Sequence, residues 1–377
     1  LFIILHLREA LSHFFVFCHM ILHTNDPIGR VLHTERGLMR YFSGTSYLAL
    51  PSHVGFRRLL SEGTERHGNN FGGSRTANLR LLVYEEAEQF WQNHTGAEKA
   101  ILLSSGFMAG QLTAWWLRQQ AYKYPETVVS YAPNTHQALW SGLENHEDGT
   151  FQDWLATAVA TIRCAPQRPY LLICNALDAV KAELYDFSPL AALPATAQVT
   201  LIADDSHGIG ITGEDGKGIF PMLQQFPQVQ PIVIASLAKA CGLSAGLILT
   251  NAHHGRLLSH NAFFAGASPC APACAYAMMH AAPIWKEQRM RLAENVALAT
   301  EKLSSFGIFK FAKGYPVFYT ESLGLYEFLL ERGILISAFP YPKIDGPVVT
   351  RIVINAAHTG EDIDFLAQQI ADFRAQN

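Results

Sequence analysis

Residues 199–210 read VTLIADDSHGIG: five mostly apolar residues run into two carboxylates, Asp204 and Asp205, and after one serine into His207. Taken alone, this strand end is compatible with a helix cap, a metal site or a catalytic group. The surrounding sequence repeats its pattern. From about residue 99, short β-rich runs alternate with longer helical stretches: KAILLSSG, TVVSYAP, YLLICNA, VTLIADD, PIVIASLAK and AGLILT. Strands separated by helices predict a mostly parallel sheet with crossover connections. The runs are apolar at nearly every position, as expected when helices cover both faces. An α/β, doubly wound large domain follows.

After about residue 280 the rhythm changes. A long amphipathic helix (WKEQRMRLAENVALATEKLSSF) is followed by a strand-like FKFAKGYPVFYT, a helix at ESLGLYEFLLERG, and a closing strand and helix in RIVINAAHTGEDIDFLAQQIADF. In ILISAFPYPKIDGP, Pro340, Pro342 and Pro347 make a turn-rich loop. This reads as a smaller α+β domain. The expected division is an N-terminal segment over 1–60, a large domain over 61–280 and a small C-terminal domain over 281–377.

Composition narrows the function classes. The chain has 377 residues, 49% hydrophobic and 16% charged, which is the balance of a compact enzyme or large binding protein. A net charge of −4 without a Lys/Arg-rich run gives no electrostatic case for nucleic acid. Six cysteines with no Cys-x-x-Cys pair point to a reducing, cytoplasmic setting, with Cys174 and Cys241 read as buried small hydrophobes. The apolar start LFIILHLREALSHFFVFCHMIL is interrupted by Arg8, Glu9, His6, His13 and His19. It matches neither a membrane span nor a signal peptide, and is read as a helix packed on the body or on a partner subunit.

In an open parallel sheet, ligands bind beyond the carboxyl ends of the strands. Four such ends carry the polar groups: SSGFMAG after residue 103, NTHQALWSG with His136, DDSHGIG with Asp204 and His207, and SLAKACG with Lys239. Each alone is weak, since a histidine is usually structural and a lysine usually solvated. Together they meet the needs of pyridoxal phosphate (PLP). Lys239 would form the covalent link, its pKa lowered by burial. Asp204 would keep a proton on the pyridine nitrogen. His207 would donate to the ring's phenolic oxygen and His136 would stack on its face. The turn at Ser105, Gly106 and Phe107, opening a helix, would cradle the phosphate.

On these residues the sequence resembles the α-oxoamine synthases, PLP enzymes of fold type I, from about residue 37 to the end. YFSGTSYLAL is similar to the family's opening Ser-Asn-Asp-Tyr-Leu-Gly-Leu region, and FGGSR (71–75) to its Gly-Gly-Ser-Arg segment. LLSSGFMAG resembles the phosphate-side turn, ADDSHGIG the Asp-Glu-Ala-His-Gly-x-Gly motif, and SLAKACGLSAG the lysine motif, with Ser236 as a phosphate neighbour. RIVINAAHTGEDID resembles the closing motif, which implies that Arg351 holds the substrate carboxylate. There are departures: Thr45 stands where Asn is usual, Tyr84 near a usual His, and Leu79 near a usual Gly. CNALDAVKAELYDFSPL lacks the family's Ser before Met-Asp-Gly-Asp, with Asn175 or Asp178 in that region. FFAGASPCAP lacks Ser-Thr, leaving Ser268 as a substitute.

The resemblance implies a homodimeric acyltransferase that condenses an amino acid with an acyl thioester, of coenzyme A or a carrier protein, and releases carbon dioxide. Three other readings stay open from the sequence: an aminotransferase using the same PLP chemistry, a non-catalytic relative, and a metal site at Asp204, Asp205 and His207 with His253 or His254.

Overall fold

A computed structural model describes residues 21–144, 149–341 and 346–376. The reading of residues 1–20 as a packed helix lies outside them. Six strands form the larger sheet: β3 (Lys99–Leu103), β4 (Val128–Tyr131), β5 (Pro169–Asn175), β8 (Gln198–Asp204), β9 (Val229–Ser236) and β10 (Gly246–Thr250), in the order β3-β10-β9-β8-β5-β4. The strands from β9 to β4 are parallel, whereas β10 runs antiparallel to both β9 and β3. AGLILT therefore reverses the direction that the alternating pattern suggests.

The unbroken apolar character of these runs has a direct cause. On β8, Ile202 packs into one core layer, with Trp116 and Leu112 of helix Gly106–Lys123, while its neighbours Leu201 and Ala203 pack into the other. On β10, Ile248 and its neighbours Leu247 and Leu249 divide the same way. Successive side chains point to opposite faces, and both faces are covered.

A second sheet joins the two ends of the chain. Strands β1 (Val31–Thr34) and β2 (Gly37–Phe42) precede the larger sheet in sequence. Strands β11 (Val317–Thr320), β12 (Ile334–Pro340) and β13 (Val348–Val353) follow it, and the order is β1-β2-β12-β13-β11. β2 lies parallel to β12, with Arg40 opposite Ile334 and Phe42 opposite Ile336. Arg30 and Arg40 both reach the fully buried carboxylate of Asp362, Arg30 at 2.5 Å through Nε and Arg40 at 3.2 Å. Between the sheets, β6 (Leu177–Asp178) and β7 (Glu183–Leu184) make a two-residue ladder.

Strand β3 is an edge, and side chains complete it. Leu102 N–H donates to Glu88 Oε1 at 3.0 Å, and Leu102 C=O accepts from Arg75 Nη1 at 3.1 Å. Arg75 also binds Glu88 at 2.7 Å, and both are largely buried. The FGGSR segment is thereby tied to the strand that leads into Ser105.

Candidate functional site

Register places the site. Asn175 on β5 pairs with Asp204 on β8, and Asp204 pairs with Ile234 on β9. Two residues further along β9, Ser236 pairs with Gly246 of β10, which pairs in turn with Leu103 of β3. The ends of these five strands thus form one row along a single sheet edge. Because β10 is antiparallel, it contributes its first residue to this edge. That residue must be glycine, since a Cβ at Gly246 would overlap the carbonyl of Ser105.

A pocket of 340 Å³ opens beyond this row and is lined by His136, Asp204, His207, Lys239 and Arg351. Lys239 follows β9, and burial depresses its ammonium from 10.5 to about 8, with Asp204 opposing the shift and Arg351 assisting it. Among the described residues its Nζ has no hydrogen-bond or ion-pair partner. Asp204 is buried, and its Oδ1 accepts from Ser206 N–H at 2.9 Å while Oδ2 faces the pocket side, 3.7 Å from His136 Nδ1.

His136 follows β4 through a turn that Asn134 makes at φ 58, a conformation asparagine tolerates better than most residues. Asn175 fastens this turn, accepting from His136 N–H at 3.0 Å and donating to Asn134 C=O at 2.7 Å. His136 Nδ1 accepts from Ala138 N–H at 3.2 Å. Nδ1 is therefore unprotonated, and the 3.7 Å approach to Asp204 is proximity rather than an ion pair. Burial holds the His136 pKa below its ordinary value, with Asp204 opposing the shift and Lys239 adding to it.

His207 is also neutral: burial comes first, and Lys239, Arg351 and His136 add to it, driving its pKa well down. Asp205 behaves differently from its neighbour. Its Oδ2 accepts from Ile219 N–H at 2.8 Å, Oδ1 is buried without a partner, and burial raises its pKa to about 8. It pins the glycine-rich loop after β8.

Ser105 caps helix Gly106–Lys123, accepting from Met108 N–H at 3.1 Å, with Gly106 packed so closely on Ser236 that a Cβ would strike the Ser236 Cβ. Ser206, unremarked in the sequence, fixes Ser236 by accepting its N–H at 2.8 Å. Phe107 is 54% exposed, so only its backbone amide is placed to serve the turn. Ser236 and Gly106 pack against each other, but neither they nor Ser105 and Phe107 are among the residues that line the pocket.

Arg351 enters from the second sheet. It sits on β13 between Tyr319 and Ser337, is buried, donates from Nη1 to Ala179 C=O at 2.6 Å, and leaves Nε without a partner. Phe339, Tyr319 and Tyr341 line the same end. Their apolar walls and the β6–β7 segment were not legible as site elements, because they come from the altered stretch around Asp178 and from the far end of the chain. Asp178 itself is turned to local use, its Oδ1 accepting from Val180 and Lys181 N–H, both at 2.8 Å.

The histidines proposed for a metal do not join the site. His254 lines a cleft with Gln198 and Val199, at the start of β8, roughly 20 Å of strand away from Asp204. Among the described residues no group of three His, Cys, Asp or Glu side chains is arranged to hold a metal, and no helix is long and apolar enough to cross a membrane.

The donor set suits a phosphorylated pyridine. A carboxylate faces the pocket beside an unpaired buried amine, a neutral imidazole flanks each, and a guanidinium keeps a free donor. Comparison with known proteins agrees in fold. No protein-family model matches the chain. It is 26% identical over 348 residues to an 8-amino-7-oxononanoate synthase of Nitrosomonas eutropha, covering 88% of each chain. It is 27% identical over 368 residues to the one of Cronobacter sakazakii, covering 93% and 92%. The serine palmitoyltransferase of Sphingomonas wittichii superposes with a TM-score of 0.77 at 16% identity, over 97% of this chain and 95% of that one. The chain is thus similar to 8-amino-7-oxononanoate synthases along most of its length, and it shares the α/β fold of the solved serine palmitoyltransferases.

Proposed function

We propose that the protein is a PLP-dependent acyltransferase that joins an amino acid to an acyl thioester and releases carbon dioxide, leaving an aminoketone. The observation that carries the reading is the convergence of Lys239, Asp204, His207, His136 and Arg351 on one pocket. It is supported by the relatedness to 8-amino-7-oxononanoate synthases and by the likeness to a serine palmitoyltransferase solved with PLP.

When bound, PLP supplies a carbonyl carbon for amines and a ring that accepts the electron pair of the α-carbon. Ser105, Gly106, Phe107 and Ser236 would hold its phosphate. Asp204 would keep a proton on the ring nitrogen, His136 would stack on the ring, and His207 would donate to the phenolic oxygen. Arg351, which lines the pocket, binds the amino acid's carboxylate through its guanidinium. Lys239 Nζ removes the α-proton, a task suited to an amine whose pKa is about 8. The aromatic walls at Phe339, Tyr319 and Tyr341 exclude water from the condensing carbons. We take the working unit to be a homodimer, with the exposed apolar Leu79, Leu82 and Phe107 as candidates for burial against a second copy.

The test mixes purified protein with PLP, amino acids and acyl-coenzyme A thioesters and follows thiol release. Thiol and carbon dioxide produced together in equal amounts support the reading. A keto acid formed with an amino acceptor, while the thioester stays intact, replaces it with transamination.

A further inference from the structure

His207 is held from behind by two phenols that come from the other sheet. Tyr47 Oη lies 2.9 Å from His207 Nδ1, and Tyr315 Oη lies 3.4 Å from Tyr47 Oη and 3.5 Å from the His207 carbonyl. Both phenols are essentially sealed from solvent, at 0% and 1% exposure. Tyr47 follows β2 and is tied to the segment after β13, its carbonyl accepting from Ala356 N–H at 2.9 Å. Tyr315 leads into β11, so N-terminal, central and C-terminal stretches of the chain meet at one imidazole nitrogen.

A neutral imidazole carries one proton, and its second nitrogen is an acceptor. A phenol is a better donor than a neutral imidazole N–H, and an imidazole nitrogen is a far better acceptor than a phenol oxygen. The 2.9 Å contact is therefore O–H···N, with Tyr47 donating. Tyr47 Oη is then left to accept from Tyr315, whose single proton is shared between Tyr47 Oη and the His207 carbonyl.

We propose that Tyr47 and Tyr315 are positioning residues that lock His207 as the tautomer protonated on Nε2, so that the atom facing the pocket is a donor. The tautomer stands on the 2.9 Å contact between Tyr47 Oη and His207 Nδ1, with Tyr315 close behind it. What Nε2–H meets, an oxygen of the bound cofactor, rests on the function proposed above. The arrangement makes the donor at the end of β8 depend on the second sheet being docked. Neither phenol touches the cofactor or the reacting atoms in this scheme.

The test reads the His207 ring nitrogens by ¹⁵N NMR, with and without PLP, alongside the visible spectrum and the PLP dissociation constant. The intact protein should show Nδ1 bare and Nε2 protonated in both states. Tyr47→Phe should mix the tautomers, weaken PLP about threefold to tenfold, the worth of one neutral hydrogen bond, and shift the spectrum of the bound form. Tyr315→Phe should do the same to a smaller degree. Tyr47→Phe and Tyr315→Phe together should be no worse than Tyr47→Phe alone, because Tyr315 acts through Tyr47. A proton on Nδ1 in the intact protein overturns the proposal. So does an unchanged tautomer in Tyr47→Phe, or, should that variant not fold, in Tyr315→Phe. A protein that takes up no PLP while His207 remains locked on Nε2 sinks the proposed function and leaves the tautomer assignment standing.

Discussion

Replacing Arg351 separates its carboxylate-binding role from its packing role. The side chain is 6% exposed, spends Nη1 on Ala179 C=O, and has an unpaired Nε. A carboxylate arriving there gains two parallel hydrogen bonds, each worth about 1.5–3 kcal/mol when a charge is involved. Arg351→Ala should then weaken amino-acid binding by about 3–6 kcal/mol, roughly 10² to 10⁴-fold. Arg351→Lys keeps the charge and loses the fork, so roughly half of that energy, a tenfold to hundredfold effect, is expected. Titration of the PLP-loaded protein, followed by its visible spectrum, measures the affinity. The decisive control is the matching amine, which lacks the carboxylate and should bind the variants and the parent about equally. Equal losses for amine and amino acid would refute the carboxylate clamp and assign Arg351 to holding Ala179 and the β6–β7 segment in place.

Other consequences are as direct. Asp205, with its pKa raised from 3.8 to about 8, is stabilising only while protonated. Folding stability should fall as pH rises from about 4 through about 8, because the native state binds the extra proton there. Asp205→Asn should flatten that slope and match or exceed the parent in denaturant midpoint at pH 8. PLP capture needs the free amine of Lys239, so its rate should rise with pH to a half-point near the group's pKa of about 8; a half-point near that of an ordinary lysine would contradict its burial. Asp204→Asn removes a charge that raises this pKa and should move the half-point lower. Ala49 has φ 52, a left-handed conformation that costs an L-residue roughly 1–2 kcal/mol. It stands where the resembling motif has glycine, so Ala49→Gly should raise the melting temperature by about 1–2 °C, and a fall in a thermal scan would show that the methyl packs usefully.

The buried strands were legible because residues with neighbours on both faces have no reason to be polar. The direction of β10 was not, since a strand apolar on every position reads the same either way. Lys239, Asp204, His207 and His136 could be found because each lies within a few residues of a strand end, where the sheet's geometry gathers polar groups. Tyr47 and Tyr315 carry no such mark: 268 positions separate them, and it takes the assembly of β2, β12, β13 and β11 into one sheet to bring them together. The pairing of Arg30 and Arg40 with Asp362 is equally long-range. Asn175 lay on a recognised strand end, yet its service to the His136 turn depends on a side chain reaching across from β5 to the loop after β4.

The Glu88–Arg75 pair on the outer side of β3 has a consequence for assembly. An open strand edge offers its N–H and C=O groups to any extended segment that drifts by, including the same strand of another molecule. At Leu102 both groups are already occupied, by a carboxylate and a guanidinium that another backbone would have to displace. Helix Leu82–Thr95 carries Glu88, so this guard is in place only once that helix has docked. Until then Leu102 offers that edge to other chains, and loss of the Glu88 carboxylate should show first as poor recovery of refolded protein.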